Sequence, residues 1–195
     1  MKNLTITIFA FVLCLSLPVW AQHKDVPLPE QDRLPCGLPT GASQCDANPD
    51  NRIVNCGFET GGFDGWYQFD ICFCAVDPQA RHSGQFGALL GTPITLSFIS
   101  QQVPTEPGQP YDLRFWLQNS GSPNRFQVRW DGQVIYDQTN MPDFAYTASD
   151  DLPVGDPSVF IGLIPSDCAT TELAFGFFNA PDFFFFDDVE LVQQP

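Results

Sequence analysis

The chain reads as an all-β protein, an antiparallel two-sheet β-sandwich, on three observations. After Ile53, short runs of Val, Ile, Phe, Tyr and Trp are separated by Gly, Pro, Asn and Asp, which is the pattern of many short strands joined by turns. No long stretch holds a helical period with capping signals, and 18 prolines scattered through 195 residues oppose long helices. Several segments alternate apolar with polar residues, so each presents one apolar face that must be covered.

Taken from the start, residues 1–21 have the form of a secretory signal. Lys2 gives a positive start, Leu4 to Leu17 an apolar run, and Val19-Trp20-Ala21 a small-residue cleavage pattern, so the mature chain is expected to begin at Gln22 and to be secreted. The apolar run is too short for a membrane-spanning helix, and no later run is long enough, so membrane insertion is not expected. Val12-Leu13 before Cys14 lack the small residue a lipid-anchored leader places there. Residues 22–52, rich in Pro, Asp, Gln and Asn, read as an irregular arm, and 53–195 as the sandwich domain. Asp150 to Pro157 reads as a long acidic loop.

Alternation assigns faces. Tyr111, Leu113, Phe115 and Leu117 share one side of a strand, with Arg114, Trp116 and Gln118 on the other. Phe126, Val128 and Trp130 oppose Arg125, Gln127 and Arg129; Leu173, Phe175 and Phe177 oppose Glu172, Ala174, Gly176 and Phe178. The first set of each strand belongs to the core, and two sheets packed through those sets leave the mixed faces to water.

Charge and cysteines narrow the function. Losing the leader removes one of the eight basic residues and none of the 23 acidic ones. A surface that acidic repels phosphate backbones, which disfavours nucleic acid, and it disfavours strongly acidic polysaccharides likewise. Of seven cysteines, Cys14 leaves with the signal; Cys36, Cys45, Cys56, Cys72, Cys74 and Cys168 remain, an even set that in an exported chain implies up to three disulfides whose pairing stays open.

Trp116 and Phe178 fall where water-facing polar residues are expected. Aromatic platforms flanked by planar polar side chains suit sugars, which present flat C–H surfaces edged by hydroxyls. Trp116 as stacking residue, Arg114, Gln118 and Gln127 as hydrogen-bonding partners and Phe178 as a second wall form the candidate carbohydrate site, for a poly- or oligosaccharide that is neutral given the chain's charge. In Phe183 to Phe186 both faces are apolar, and Phe184 and Phe186 share parity with Asp188 and Glu190, the expected outer face. They could extend a platform, lie under the acidic loop, which is favoured because monomers seldom expose large apolar patches, or meet a protein partner, which keeps open an extracellular structural or adhesive protein.

Glu59 and the Asp187-Asp188 pair are the acids best suited to calcium, which takes carboxylate and carbonyl oxygens. An enzyme is not expected. Asp187 and Asp188, adjacent on a strand, should point to opposite faces, and only His23 and His82 offer a general base, with no nucleophile-elbow pattern to serve it.

Five segments in order carry a resemblance over roughly residues 54–192. These are Asn55-Cys56-Gly57-Phe58-Glu59 through Asp64-Gly65-Trp66; Ala80-Arg81-His82-Ser83-Gly84; Pro107-Gly108-Gln109-Pro110-Tyr111 through Trp116; Val128-Arg129-Trp130-Asp131-Gly132; and Phe185-Phe186-Asp187-Asp188-Val189-Glu190-Leu191. Together they resemble the carbohydrate-binding modules of the endoglucanase C type. That resemblance implies a galactose-binding-like jelly-roll sandwich, non-catalytic glycan binding, and a structural calcium held by Glu59 and Asp188.

Overall fold

A computed structural model describes residues 42–69, 74–119, 121–141, 144–146, 159–165, 169–180 and 182–195. The signal segment, His23, Cys36, Cys72, Cys168 and the acidic loop from Asp150 to Pro157 lie outside the described residues.

Strands form at the three segments whose alternation was read, around Tyr111 to Gln118, Arg125 to Trp130 and Glu172 to Phe178, and at eight others. In chain order they are β1 (Tyr67–Phe69), β2 (Ala75–Asp77), β3 (Gly87–Leu90), β4 (Ser97–Pro104), β5 (Tyr111–Asn119), β6 (Asn124–Trp130), β7 (Gln133–Thr139), β8 (Phe144–Tyr146), β9 (Val159–Leu163), β10 (Thr170–Asn179) and β11 (Phe184–Gln193). The helical content among the described residues is two 3₁₀ turns, Cys45–Ala47 and Pro78–Ala80. One sheet has the order β1-β4-β10-β6-β7; the other runs β2-β3-β11-β5-β8, with β9 also pairing β5. All pairings are antiparallel. The described residues thus form the two-sheet β-sandwich.

The core is built from the faces the alternation assigned. Leu113, Phe115, Leu117, Phe126, Val128, Leu173 and Phe175 are fully buried. Phe115 sits at the centre, with ring centroids 5.1 Å from Phe175, 5.4 Å from Phe186 and 5.7 Å from Phe126. Edge-to-face and tilted contacts of this kind add to the ~1.5–3 kcal/mol that burying each ring contributes. The Asn55–Trp66 segment closes one end of the core. Phe58 stacks on Trp66, the Trp66 indole N–H donates to Asn55 O, and the Asn55 amide donates to Gly62 O and Asp64 O.

β11 departs from the sequence expectation. Phe184 and Phe186 are fully buried among core rings instead of lying on the outer face. The cause is a bulge: Asp187 pairs Trp116 but Glu190 pairs Arg114, so one extra residue enters β11 and Asp188 adopts φ 49°. One inserted residue exchanges the faces on either side of it, so parity carried back from Glu190 misplaces every residue before the bulge. The candidate protein-binding patch at Phe184 and Phe186 therefore has no exposed surface.

Residues from Cys45 onward in the predicted arm are tied to this strand. Arg52 N–H donates to Leu191 O, Leu191 N–H to the Asn51 side chain, and the Asn51 amide to Val189 O. A disulfide joins Cys45 to Cys56, fastening the same segment to the Asn55–Trp66 loop. Cys74 is disulfide-bonded as well.

Candidate functional site

The five candidate carbohydrate residues are divided between the two sheets. Arg114, Trp116 and Gln118 lie on β5 in one sheet, and Gln127 and Phe178 lie on β6 and β10 in the other. Their outward faces are on opposite sides of the sandwich, so they cannot grip one ligand together.

Trp116 is covered. The His82 ring stacks on it, centroids 5.1 Å apart and planes 19° from parallel, leaving it 6% exposed. Its indole N–H meets no acceptor among the described residues. The turn after Pro78–Ala80 puts His82 there, and three carboxylates hold that turn. Asp187 Oδ2 accepts the main-chain N–H of His82 and Ser83 at 2.7 and 3.2 Å. Asp188 meets His82 Nδ1 at 2.7 Å and accepts from the Ser83 hydroxyl at 2.7 Å. Glu59 accepts the N–H groups of Gln85 and Phe86. The adjacent acids do not point to opposite faces as an unbroken strand would require; the left-handed backbone at Asp188 brings both to one turn. Burial first, then the neighbouring Asp188 charge, pushes the Asp187 carboxyl up to about 8, against the lowering effect of three main-chain N–H donors.

These acids do not fit a bound calcium. The ion needs six or more oxygens around it, whereas the Glu59 and Asp188 oxygens are met by N–H and O–H groups and a histidine ring nitrogen. The turn itself does the work of holding the carboxylates together. Nor does the cluster form a nucleophilic triad: the Ser83 hydroxyl is bonded to Asp188 and not to the imidazole.

The other sheet presents the face that Gln127 and Phe178 belong to. Its register sets Phe69, Phe98, Gly176, Gln127 and Asp137 in one row across all five strands, with Tyr67, Ser100, Ala174 and Arg129 in the next. Four interstrand steps of about 4.8 Å make the row roughly 19 Å long. Tyr67 and Phe69 are 48% and 46% exposed, and small residues occupy the middle of the face. Gly176 is small of necessity, since a Cβ there would lie 2.5 Å from the Phe98 ring.

A polar strip follows. The Arg129 guanidinium lies 4.2 Å from the Phe98 centroid, a cation–π contact, and its Nε donates to Gln127 Oε1 at 2.7 Å. Gln127 in turn donates to Asp137 at 2.9 Å, and Asp137 receives Arg125 through Nε at 2.7 Å. The Arg125 hydrogen bond holds the Asp137 carboxyl below its ordinary value, and Asp137 raises the Arg125 guanidinium. Gln127 is only 3% exposed and so acts as the clamp that flattens Arg129 over Phe98. Tyr67, Phe69, Phe98, Arg129 and Asp137 were absent from the sequence-based site. The alternation in Tyr67-Gln68-Phe69, aromatic on both sides of a glutamine, is the signal that would have found the first two.

No protein-family model and no curated protein sequence matches the chain. Among solved structures it is similar to the C-terminal family 22 carbohydrate binding module of Clostridium thermocellum Xyn10B, with TM-score 0.55 and 14% identity over 75% of this chain and 95% of that one. TmCBM61 in complex with β-1,4-galactotriose aligns with TM-score 0.50 and 18% identity over 74% of this chain and 99% of that one. The enzymatically active domain of bacteriophage CBA120 tailspike protein 4 reaches TM-score 0.55 and 14% identity over 74% of this chain. This chain covers only 22% of that tailspike chain. At such identities the likeness is one of fold, and it does not single out the endoglucanase C type. The chain has the β-sandwich fold of carbohydrate-binding modules.

Proposed function

We propose that this is an exported, non-catalytic glycan-binding protein that lays a neutral poly- or oligosaccharide across the outer face of the β1-β4-β10-β6-β7 sheet. The observation that carries the reading is the pairing of two half-exposed rings, Tyr67 and Phe69, with the planar guanidinium of Arg129, held flat by the buried Gln127, on one face. Rings bury the apolar C–H faces of sugars and planar polar groups meet their hydroxyls. The sandwich fold shared with modules that bind oligosaccharides supports the same reading. Of the sequence-based set, Gln127 lies beneath Arg129 on this face and Phe178 lies at the end of the sheet, outside the Tyr67/Phe69/Arg129 surface; Trp116, Arg114 and Gln118 belong to the opposite sheet. Calcium has no part in this reading. The adhesive alternative loses the surface on which it rested, since Phe184 and Phe186 are core residues.

The test is isothermal titration of the parent and a Tyr67→Ala/Phe69→Ala variant against xylan- and galactan-derived oligosaccharides. Losing two stacking rings worth roughly 1–2 kcal/mol each predicts a fall in affinity of about tenfold or more, with unfolding midpoints little changed because both rings are exposed. Equal affinities for parent and variant would contradict the assignment.

A further inference from the structure

The same sheet face ends in a cavity that the proposed site does not use. About 520 Å³ in volume, it lies beside Phe178 where β6, β7 and β10 meet the segment before β4. That volume falls within the roughly 300–1,000 Å³ of small-molecule sites. Its apolar lining is Phe178, Leu96 and Ile94, the last 74% exposed; its polar lining is Arg125, Thr139 and Asn140. Apolar side chains on one side and hydroxyl, amide and guanidinium donors on the other form the two-sided environment a sugar ring requires.

The cavity is continuous with the face. Phe178 pairs Arg125, and Arg125 pairs Thr139, in the row two residues from the Phe69-Phe98-Gly176-Gln127-Asp137 row, a step of about 7 Å along the strands. Asp137 joins the two. It takes Gln127 on the platform side and the Arg125 guanidinium on the cavity side, so the ion pair fixes the edge between the regions. Among the described residues Asp137 is the sole acceptor for that guanidinium, whose planar fork carries five donors. A glycan main chain on the row would therefore pass within one sugar's reach of an open, amphipathic hollow.

We infer that this cavity is a second subsite that holds one uncharged monosaccharide unit, a branch or a chain end, of the glycan whose main chain lies on the Tyr67/Phe69/Arg129 face. The inference rests on the glycan reading of that face. Its consequence is selectivity: the platform accepts a plain chain, and the cavity adds affinity only for a chain carrying the extra unit in reach.

The experiment titrates the parent, Phe178→Ala and Ile94→Trp against three probes: β-1,4-galactotriose, unbranched xylohexaose and xylohexaose bearing one internal arabinosyl branch. Ile94→Trp fills the cavity from an exposed position and keeps the test informative if Phe178→Ala folds poorly. A branch reader gives at least about a tenfold gain for the branched probe over the plain hexaose, and both variants abolish that gain while leaving plain-chain affinity within twofold. A chain-end reader gives equal affinity for the two hexaoses, lost on methylating the non-reducing end and in both variants. Unchanged affinities in both variants overturn the subsite, and if Tyr67→Ala still weakens binding the face reading survives alone. No binding of any probe by the parent overturns the face reading and the subsite with it.

Discussion

Replacing Asp187 by Asn tests the account of the buried acid pair through its dependence on pH. Asp187 is fully buried and its carboxyl is pushed from 3.8 to about 8, first by burial and then by the adjacent Asp188. The folded chain thus holds this proton more tightly than the unfolded chain does. The contribution to stability is full below about pH 4, is lost as pH rises toward about 8, and is level above that. One such proton gives a slope of at most about −1.4 kcal/mol per pH unit. Asn is neutral at every pH. Its amide oxygen can replace Oδ2 as acceptor for the His82 and Ser83 N–H groups, but its NH₂ then faces the Asp188 N–H, which now donates to Oδ1 at 2.8 Å. That donor-against-donor contact costs roughly 1–3 kcal/mol at all pH values. Urea unfolding of both proteins from about pH 5 to 9 should show the parent's advantage shrinking with rising pH by about 1 kcal/mol per unit or somewhat less, then flattening near pH 8. The titratable neighbours His82 and Asp188 are common to both proteins and largely cancel in the difference. A difference that is independent of pH, or that widens as pH rises, would refute the argument, because it would mean a carboxylate ionised throughout.

Three further outcomes follow from the same geometry. Phe186→Ala should cost about 3–5 kcal/mol in chemical denaturation, as for a core ring, and a cost within about 0.5 kcal/mol would return the residue to the surface and remove the bulge. Excess chelator should shift the thermal midpoint by less than about 1 °C, since donors of the His82–Phe86 turn already hold Glu59, Asp187 and Asp188; a rise of several degrees on adding calcium would contradict that. Gly176→Val should displace Phe98 and the Arg129 guanidinium stacked on it, costing about 1–3 kcal/mol in stability and lowering glycan affinity as well, and unchanged affinity would remove Phe98 and Arg129 from the site.

The strands that build the core were legible because their alternation is local. Tyr111 to Leu117, Phe126 to Trp130 and Leu173 to Phe177 each announce a core side that is buried as read, whereas Trp116, Gln127 and Ala174, on the sides read as solvated, are buried as well. Two things were not legible. The bulge at Asp188 depends on a left-handed backbone that the local composition does not announce, and it reverses the faces of Phe184 and Phe186. Sheet membership is also non-local. Trp116 and Gln127 both sit on outward faces, but only the pairing of β5 with β11 and of β6 with β10 places them on opposite sides of the sandwich. The cover over Trp116 arises in the same way, from a turn 34 residues away in sequence that reaches β5 because Asp187 and Asp188 draw it in. Tyr67 and Phe69 escaped notice because a three-residue strand is too short for periodicity to stand out.

In the proposed function the Tyr67/Phe69/Arg129 face, and not the Trp116 side, holds glycan. The most direct measurement is affinity for soluble xylan and galactan of the parent beside two variants, Tyr67→Ala/Phe69→Ala and Gln118→Ala, the latter on the opposite sheet. The parent should bind, the double variant should lose about tenfold or more in affinity, and Gln118→Ala should bind as the parent does. Binding that survives in the double variant and disappears in Gln118→Ala would contradict it.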